Sequence, residues 1–255
     1  MSTLASLIQS VGGDRVDVTN LVPVGASPED YQPTPRDILT LRRAQLLVEN
    51  GGGLEGWLSH TVESAKNPAL RILVCADGLP LRGGNPHLWM DPEFARVYAR
   101  KIRHALTLVD PAGAADYARN ARAFDKRLLA LEAWIRGQIA TIPPDQRNMI
   151  VFHDAWTYYD ERFGLRTIGV VEQSPGQEPN PHALADLVTL AERSHVHAVF
   201  AEPEYSPKLL RALAQAAHIA TVTDLYDDSL GTSGPVHDYV SMLRYDTDTI
   251  VRALR

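Results

Sequence analysis

The stretch Ala112 to Thr141, AGAADYARNARAFDKRLLALEAWIRGQIAT, decides how the rest of the chain is organised. Its apolar residues recur at gaps of three or four, which places them on one face of a single helix. About 29 residues at about 1.5 Å each make a helix roughly 40 Å long, as wide as a whole domain. Pro143 and Pro144 follow and end it. The predicted buried stripe consists of Ala118, Ala121, Phe124, Leu128, Leu131, Ile135 and Ile139.

On either side of this helix the sequence alternates short apolar runs with amphipathic helices. This alternation predicts an α/β fold in which mainly parallel sheets are covered by helices, with the long helix as a rigid strut between two halves. We assign residues 1–110 to an N-terminal lobe, 111–142 to the linking helix and 143–255 to a C-terminal lobe. The predicted strands are Arg15–Val18, Leu21–Val24, Ala44–Val48, Arg71–Cys75, Asn148–Phe152, Thr167–Val171, Ala198–Ala201 and Thr221–Leu225. A turn-rich loop is predicted over Ser174–Asn180.

Composition narrows the possible functions. The 255 residues are 45% hydrophobic and 22% charged, which is typical of a globular protein, and the net charge of −6 disfavours binding to nucleic acid. The single Cys75 excludes a cysteine-rich metal site. No apolar run approaches the roughly 20 residues of a membrane span, and no basic region precedes the first apolar stretch, so no signal peptide is visible. Taken alone, this last observation favours a cytoplasmic location.

Several side chains with metal-binding chemistry lie in loops or just after predicted strands. The carboxyl ends of parallel strands meet at one edge of a sheet, where ligands gather. Imidazole nitrogen and carboxylate oxygen hold divalent transition metals when cysteine is absent. Each residue alone fits a capping or surface role better than a ligand role, because no compact motif such as H-E-x-x-H is present. The candidates are Glu29 and Asp30 in a Pro-rich loop, His87 in NPHLW, His153 directly after a strand, and Asp227 and Asp228 after the last strand.

Six blocks in order along nearly the whole chain resemble the cluster-9 metal receptors of ABC importers. This family includes zinc and manganese receptors and streptococcal surface adhesins. The matching blocks are GASPEDYQPTPRD (25–37), LEGWL (54–58), NPHLWMDP (85–92), FHDAW with YY (152–159), AEP with SPKL (201–209) and LYDDSLG (225–231).

The resemblance implies two α/β lobes joined by one long helix, with a single Zn²⁺ or Mn²⁺ ion clamped in the cleft between them. It also implies an extracytoplasmic or periplasmic receptor that delivers the metal to a membrane permease, acts as a monomer, and is not an enzyme. By position, His87, His153 and Asp228 match the second, third and fourth family ligands. Asp154 and Glu202 are candidates to orient the imidazoles, with capping and loop hydrogen bonds as the alternative.

The sequence departs from the family pattern in two places. The family loop usually reads G-x-D-P-H-x-Y, and this chain has Glu29 where the first ligand is His, with Asp30 as a neighbouring option. Two imidazoles and two carboxylates would leave the site formally neutral, and the added oxygen favours manganese or ferrous iron over zinc. Family members also begin with a strand before the segment that matches 2–11, which leads us to expect a truncated or misassigned start.

Two alternatives to the receptor hypothesis stay open from sequence. A metal-dependent hydrolase would use similar ligands but needs an open coordination position and a general base, a role that Glu29 could take. A degenerate family member would have lost the metal because of Glu29.

Overall fold

The structure is a computed structural model that describes residues 1–172 and 180–255. Apart from Asn180, the loop predicted at Ser174–Asn180 therefore lies outside the described residues. Among the described residues, no helix combines the length and the apolar character that crossing a membrane requires.

The described chain forms two compact units. Unit 1 contains residues 1–130 and 228–230, and unit 2 contains residues 131–227 and 231–255. The chain therefore passes from unit 2 to unit 1 between two consecutive aspartates and returns three residues later. The lobe boundaries that we assign from sequence stay a prediction.

The helices and strands alternate along the chain as the sequence predicts, and the α/β class with parallel sheets is confirmed. The helices are α1 (Ser2–Gly12), α2 (Pro35–Arg43), α3 (Leu58–Ala65), α4 (Pro92–Val109), α5 (Ala114–Ile139), α6 (Thr157–Phe163), α7 (Pro181–Arg193), α8 (Lys208–Ala217) and α9 (Tyr239–Leu254). The strands are β1 (Leu46–Glu49), β2 (Arg71–Val74), β3 (Asn148–Val151), β4 (Arg166–Val170), β5 (Ala198–Phe200) and β6 (Ala220–Val222).

Helix α5 is the long helix that the apolar spacing predicts. It is preceded by a single 3₁₀ turn at Pro111–Gly113, which explains why it begins two residues later than expected. Its stripe is buried from Phe124 to Ile139, and the first buried position is Tyr117 rather than Ala118. The helix begins in unit 1 and ends in unit 2.

Unit 2 is built on a four-stranded parallel sheet with strand order β4-β3-β5-β6. The two central strands are almost entirely buried and the two edge strands are partly exposed, as expected when helices cover both faces. Because all four strands run the same way, the residues that follow β3, β5 and β6 lie at one edge of the sheet.

Unit 1 contains a parallel pair of strands, β1 and β2, in register from Leu46 and Arg71 onward. Helix α4 packs on this pair and on α1, and α2 packs on α3. The prediction of strands at Arg15–Val18 and Leu21–Val24 is wrong. Within the described residues neither segment joins the open edges of the β1–β2 pair, and both run as largely irregular chain with Val22 buried.

Candidate metal centre

The loop that carries Glu29 is held at both of its ends. After it, Thr34 caps α2 in a capping box, in which Oδ2 of Asp37 accepts hydrogen bonds from the Thr34 backbone N–H at 2.7 Å and hydroxyl at 2.8 Å. The Tyr31 hydroxyl donates to the same oxygen at 3.0 Å. Just before Glu29, the carbonyl of Pro28 accepts from the Trp57 indole N–H at 2.7 Å. These bonds fix the loop against α2 and α3 and limit where the Glu29 carboxylate can reach.

His87 is held in one orientation at the entrance to a 3₁₀ turn. Its side chain is 3% exposed, and its ring lies 5.1 Å from that of Trp89. Nδ1 is 2.9 Å from Oδ1 of Asn85, which also accepts from the His87 backbone N–H at 3.0 Å. An amide oxygen only accepts, so the neutral ring carries its proton on Nδ1. Nε2 therefore presents its lone pair, as a metal ligand must.

The Nε2 atom of His87 faces the carboxylate of Glu29 inside unit 1. Glu29 Oε1 lies 3.6 Å away, and its side chain is 13% exposed. Two atoms that each lie about 2.1 Å from one ion at a tetrahedral angle are roughly 3.4 Å apart, so this separation suits two ligands of a shared cation. Asp228, 2% exposed, belongs to the same unit, and one of its oxygens lies within 4.8 Å of a ring nitrogen of His87.

Unit 2 brings a second group of candidate residues to the carboxyl edge of its sheet. His153 follows β3, Glu202 follows β5 and Asp227 follows β6 after a short segment. Continued ladder bonds hold these chain ends together. The backbone N–H of Phe152 donates to the Phe200 carbonyl at 2.7 Å, and that of Ala201 donates to the Val222 carbonyl at 2.9 Å. The parallel topology thus gathers side chains that are tens of residues apart in sequence.

His153 is surrounded by carboxyl groups in unit 2. Its Nδ1 lies 3.1 Å from Oδ2 of Asp227 and 4.0 Å from Oε1 of Glu202. Oε1 of Glu202 also accepts from the indole N–H of Trp156 at 3.2 Å. Burial raises the pKa of Glu202 to about 8, and repulsion from Asp227 adds to the rise while His153 opposes it. The pKa of Asp246 is also well above its ordinary value because that carboxyl is buried. Such a concentration of buried acid suits a cation.

The two residues that we expect to orient imidazoles differ in their surroundings. Glu202 lies beside His153, as just described. Asp154 is exposed, and its Oδ1 accepts from the Thr157 hydroxyl at 3.0 Å, which stabilises the start of α6. Sequence reasoning assigns the fourth ligand to Asp228 alone and misses the proximity of Asp227 to His153. The Asp-Asp pair was the signal for it, but no pattern in the sequence tells which of two consecutive carboxylates faces which neighbour.

Comparison with known proteins identifies the family. The family model described as "Zinc-uptake complex component A periplasmic" matches residues 1–253. The chain belongs to this zinc-uptake component A family. The chain is 31% identical over 258 residues to the manganese-binding lipoprotein MntA of Halalkalibacterium halodurans, which covers 99% of this chain and 86% of that protein. It is also 32% identical over 257 residues to the iron-binding protein YfeA of Yersinia pestis. That alignment covers 98% of this chain and 83% of YfeA.

A solved structure of a periplasmic metal-binding protein agrees with the fold. The Cd-bound periplasmic metal binding protein of Candidatus Liberibacter asiaticus superposes with a TM-score of 0.89 at 26% identity, over 100% of this chain and 97% of that one. The resemblance to metal receptors is thereby confirmed. Family and relatives are metal-uptake and metal-binding proteins rather than enzymes, so the hydrolase alternative is set aside.

Proposed function

We propose that this chain captures a divalent transition-metal ion, zinc or manganese, outside the cytoplasm and delivers it to the permease of an ABC importer. The observation that carries the proposal is the lone pair of His87 Nε2 facing Glu29 Oε1 at 3.6 Å in a buried setting. Membership of the zinc-uptake component A family supports it, as do relatives named for binding manganese and iron.

The proposed ligands are Glu29, His87, His153 and Asp228. Protein ligands on all sides of the ion would leave no position for a reactive water, which suits a carrier and not a hydrolase. Asp228 is joined by one peptide bond to Asp227, whose Oδ2 lies 3.1 Å from Nδ1 of His153. The partners are then the ion and a membrane permease. We also propose that the protein acts as a monomer and binds no nucleic acid.

Metal loading tests this function directly. The purified chain is stripped with a chelator, incubated with Mn²⁺ or Zn²⁺, separated from free metal by gel filtration, and assayed by elemental analysis. We expect about one equivalent of metal to be retained, since one cluster of ligands closes around one ion. Retention of neither ion would contradict the receptor function and favour a family member that has lost its metal.

Replacing Glu29 tests whether a carboxylate sets the choice of metal. In Glu29→His, a third imidazole replaces a hard oxygen ligand, so the ratio of zinc to manganese affinity should rise about tenfold relative to wild type. Competition titration with a chromogenic chelator measures both affinities. Glu63→His, on the solvent-facing part of α3, is the matched control. An unchanged ratio in Glu29→His would remove Glu29 from the ligand set.

A further inference from the structure

Two consecutive aspartates lie with two different histidines. Asp228 belongs to unit 1, where one of its oxygens is within 4.8 Å of a ring nitrogen of His87. Asp227 belongs to unit 2, where its Oδ2 is 3.1 Å from Nδ1 of His153. Both residues are buried: Asp227 is 1% exposed and Asp228 is 2% exposed. Burial of both side chains means that Asp227, like Asp228, is not a surface residue.

The 3.1 Å separation is the one expected for two ligands of a single ion. Atoms that each lie about 2.1 Å from a metal are roughly 3.0 Å apart at a right angle and roughly 3.4 Å apart at a tetrahedral angle. Asp227 and His153 are therefore close enough to bind one ion without rearrangement. Glu29 and His87 lie 3.6 Å apart, which also suits two ligands of one ion.

The charges around Asp227 also call for a cation. The carboxyl groups of Glu202 and Asp246 are 1% and 0% exposed, and both are close enough for the charge of Asp227 to act on them. His153 is the imidazole that faces this group, at 3.1 Å from Asp227 and 4.0 Å from Glu202. Buried carboxyl oxygens beside an imidazole nitrogen are the donor atoms that bind divalent transition metals.

We propose that Asp227 is a fifth ligand of the captured metal, binding the same ion as Nδ1 of His153. This inference rests on the proposed function and extends it to the choice of metal. A further carboxylate oxygen among the ligands suits Mn²⁺ or Fe²⁺ better than the tetrahedral preference of Zn²⁺. Asp227 thus makes the site selective for the harder ions.

The variant Asp227→Asn tests the inference with two measurements, the metal affinity and the stability of the metal-free protein. Loss of a charged ligand should weaken Mn²⁺ binding at least about tenfold and weaken Zn²⁺ binding less. The unfolding temperature of the metal-free protein should stay close to that of wild type, because an amide of the same shape replaces the carboxylate. A residue with a merely structural role would lose stability when replaced. Asp224→Asn, three residues earlier, is the matched control.

A cobalt spectrum reports the coordination number itself. Co²⁺-loaded wild type should show the weak visible bands of a five- or six-coordinate ion, and Asp227→Asn should show the stronger bands of a four-coordinate ion. If wild type binds metal and the variant matches it in Mn²⁺ affinity and in spectrum, the fifth-ligand inference is overturned while the receptor function stands. If wild type retains no Mn²⁺, Zn²⁺ or Co²⁺, the proposed function fails, and this inference fails with it.

Discussion

His153→Ala should abolish high-affinity metal binding, raising the dissociation constants for Mn²⁺ and Zn²⁺ by at least about 100-fold. Replacing a residue that only orients a ligand typically costs 10–100-fold in affinity, so removing a ligand should cost at least the top of that range. The loss also leaves the buried carboxyl groups of Asp227 and Glu202 without the imidazole that lies 3.1 Å and 4.0 Å from them. Isothermal titration with each ion measures the change.

The control for this experiment is His182→Ala. His182 is an exposed histidine near the start of α7, so its loss removes an imidazole of the same type without touching the candidate site. We expect its metal affinity to match wild type. The ligand assignment would be wrong if His153→Ala also bound both ions as tightly as wild type while retaining the same unfolding temperature.

Much of the fold was predictable because it depends on burial that repeats along the chain. The stripe of α5 follows from apolar spacing alone, and its end follows from two prolines. The sequence predicts a strand at Asn148–Phe152, and β3 forms at Asn148–Val151. A short, continuous apolar run in an α/β chain is typical of a buried parallel strand. Local signals of this kind need no knowledge of distant partners.

The incorrectly predicted strands depend on pairing with neighbouring strands, which local sequence does not reveal. The apolar residues of Val16 to Val24 resemble a strand, but a strand forms only where a neighbour completes its hydrogen bonds, and β1 pairs with β2 instead. Helix α1 was not predicted, although Leu4, Leu7 and Val11 are spaced as a helical face and are buried. The sequence therefore does carry a local signal for α1.

The candidate site shows the same division. His87 and His153 could be named from sequence because the family places ligands there, and His153 also because it comes just after a strand. The proximity of Asp227 to His153 could not be predicted from the sequence, because it depends on how the segment after β6 turns. The carboxylates of Asp227 and Asp228 are chemically identical, so residue type does not distinguish them. The Nδ1 proton of His87 depends likewise on Asn85, two residues away, whose amide could as easily face solvent.

A second large effect concerns stability and lies away from the metal ligands. Asp160, on α6, is 7% exposed, and its Oδ2 accepts a hydrogen bond from the Thr167 backbone N–H at 2.6 Å, which ties α6 to β4. Burial raises the pKa of this carboxyl to about 7, with a smaller contribution from Asp154, and the bond from Thr167 only partly offsets the rise. The folded protein therefore holds a proton on Asp160 at a pH where the unfolded chain has lost it.

Asp160→Asn should stabilise the protein at pH 8 and have little effect at pH 4. Because the folded pKa is about 7 and the ordinary value is 3.8, folding takes up a proton between these limits, and stability falls as the pH rises from about 4 to about 7. Ionising the buried Asp160 lowers the free energy of unfolding by about 4 kcal/mol in full. The amide of Asn has the same shape and no charge to lose, and its oxygen still accepts the hydrogen bond from Thr167. We expect a gain of about 1–4 kcal/mol at pH 8, measured by urea unfolding across this pH range. Glu161→Gln, exposed on the same helix, should show no such pH-dependent gain, and equal behaviour of the two variants would mean that Asp160 is ionised in the folded state without cost.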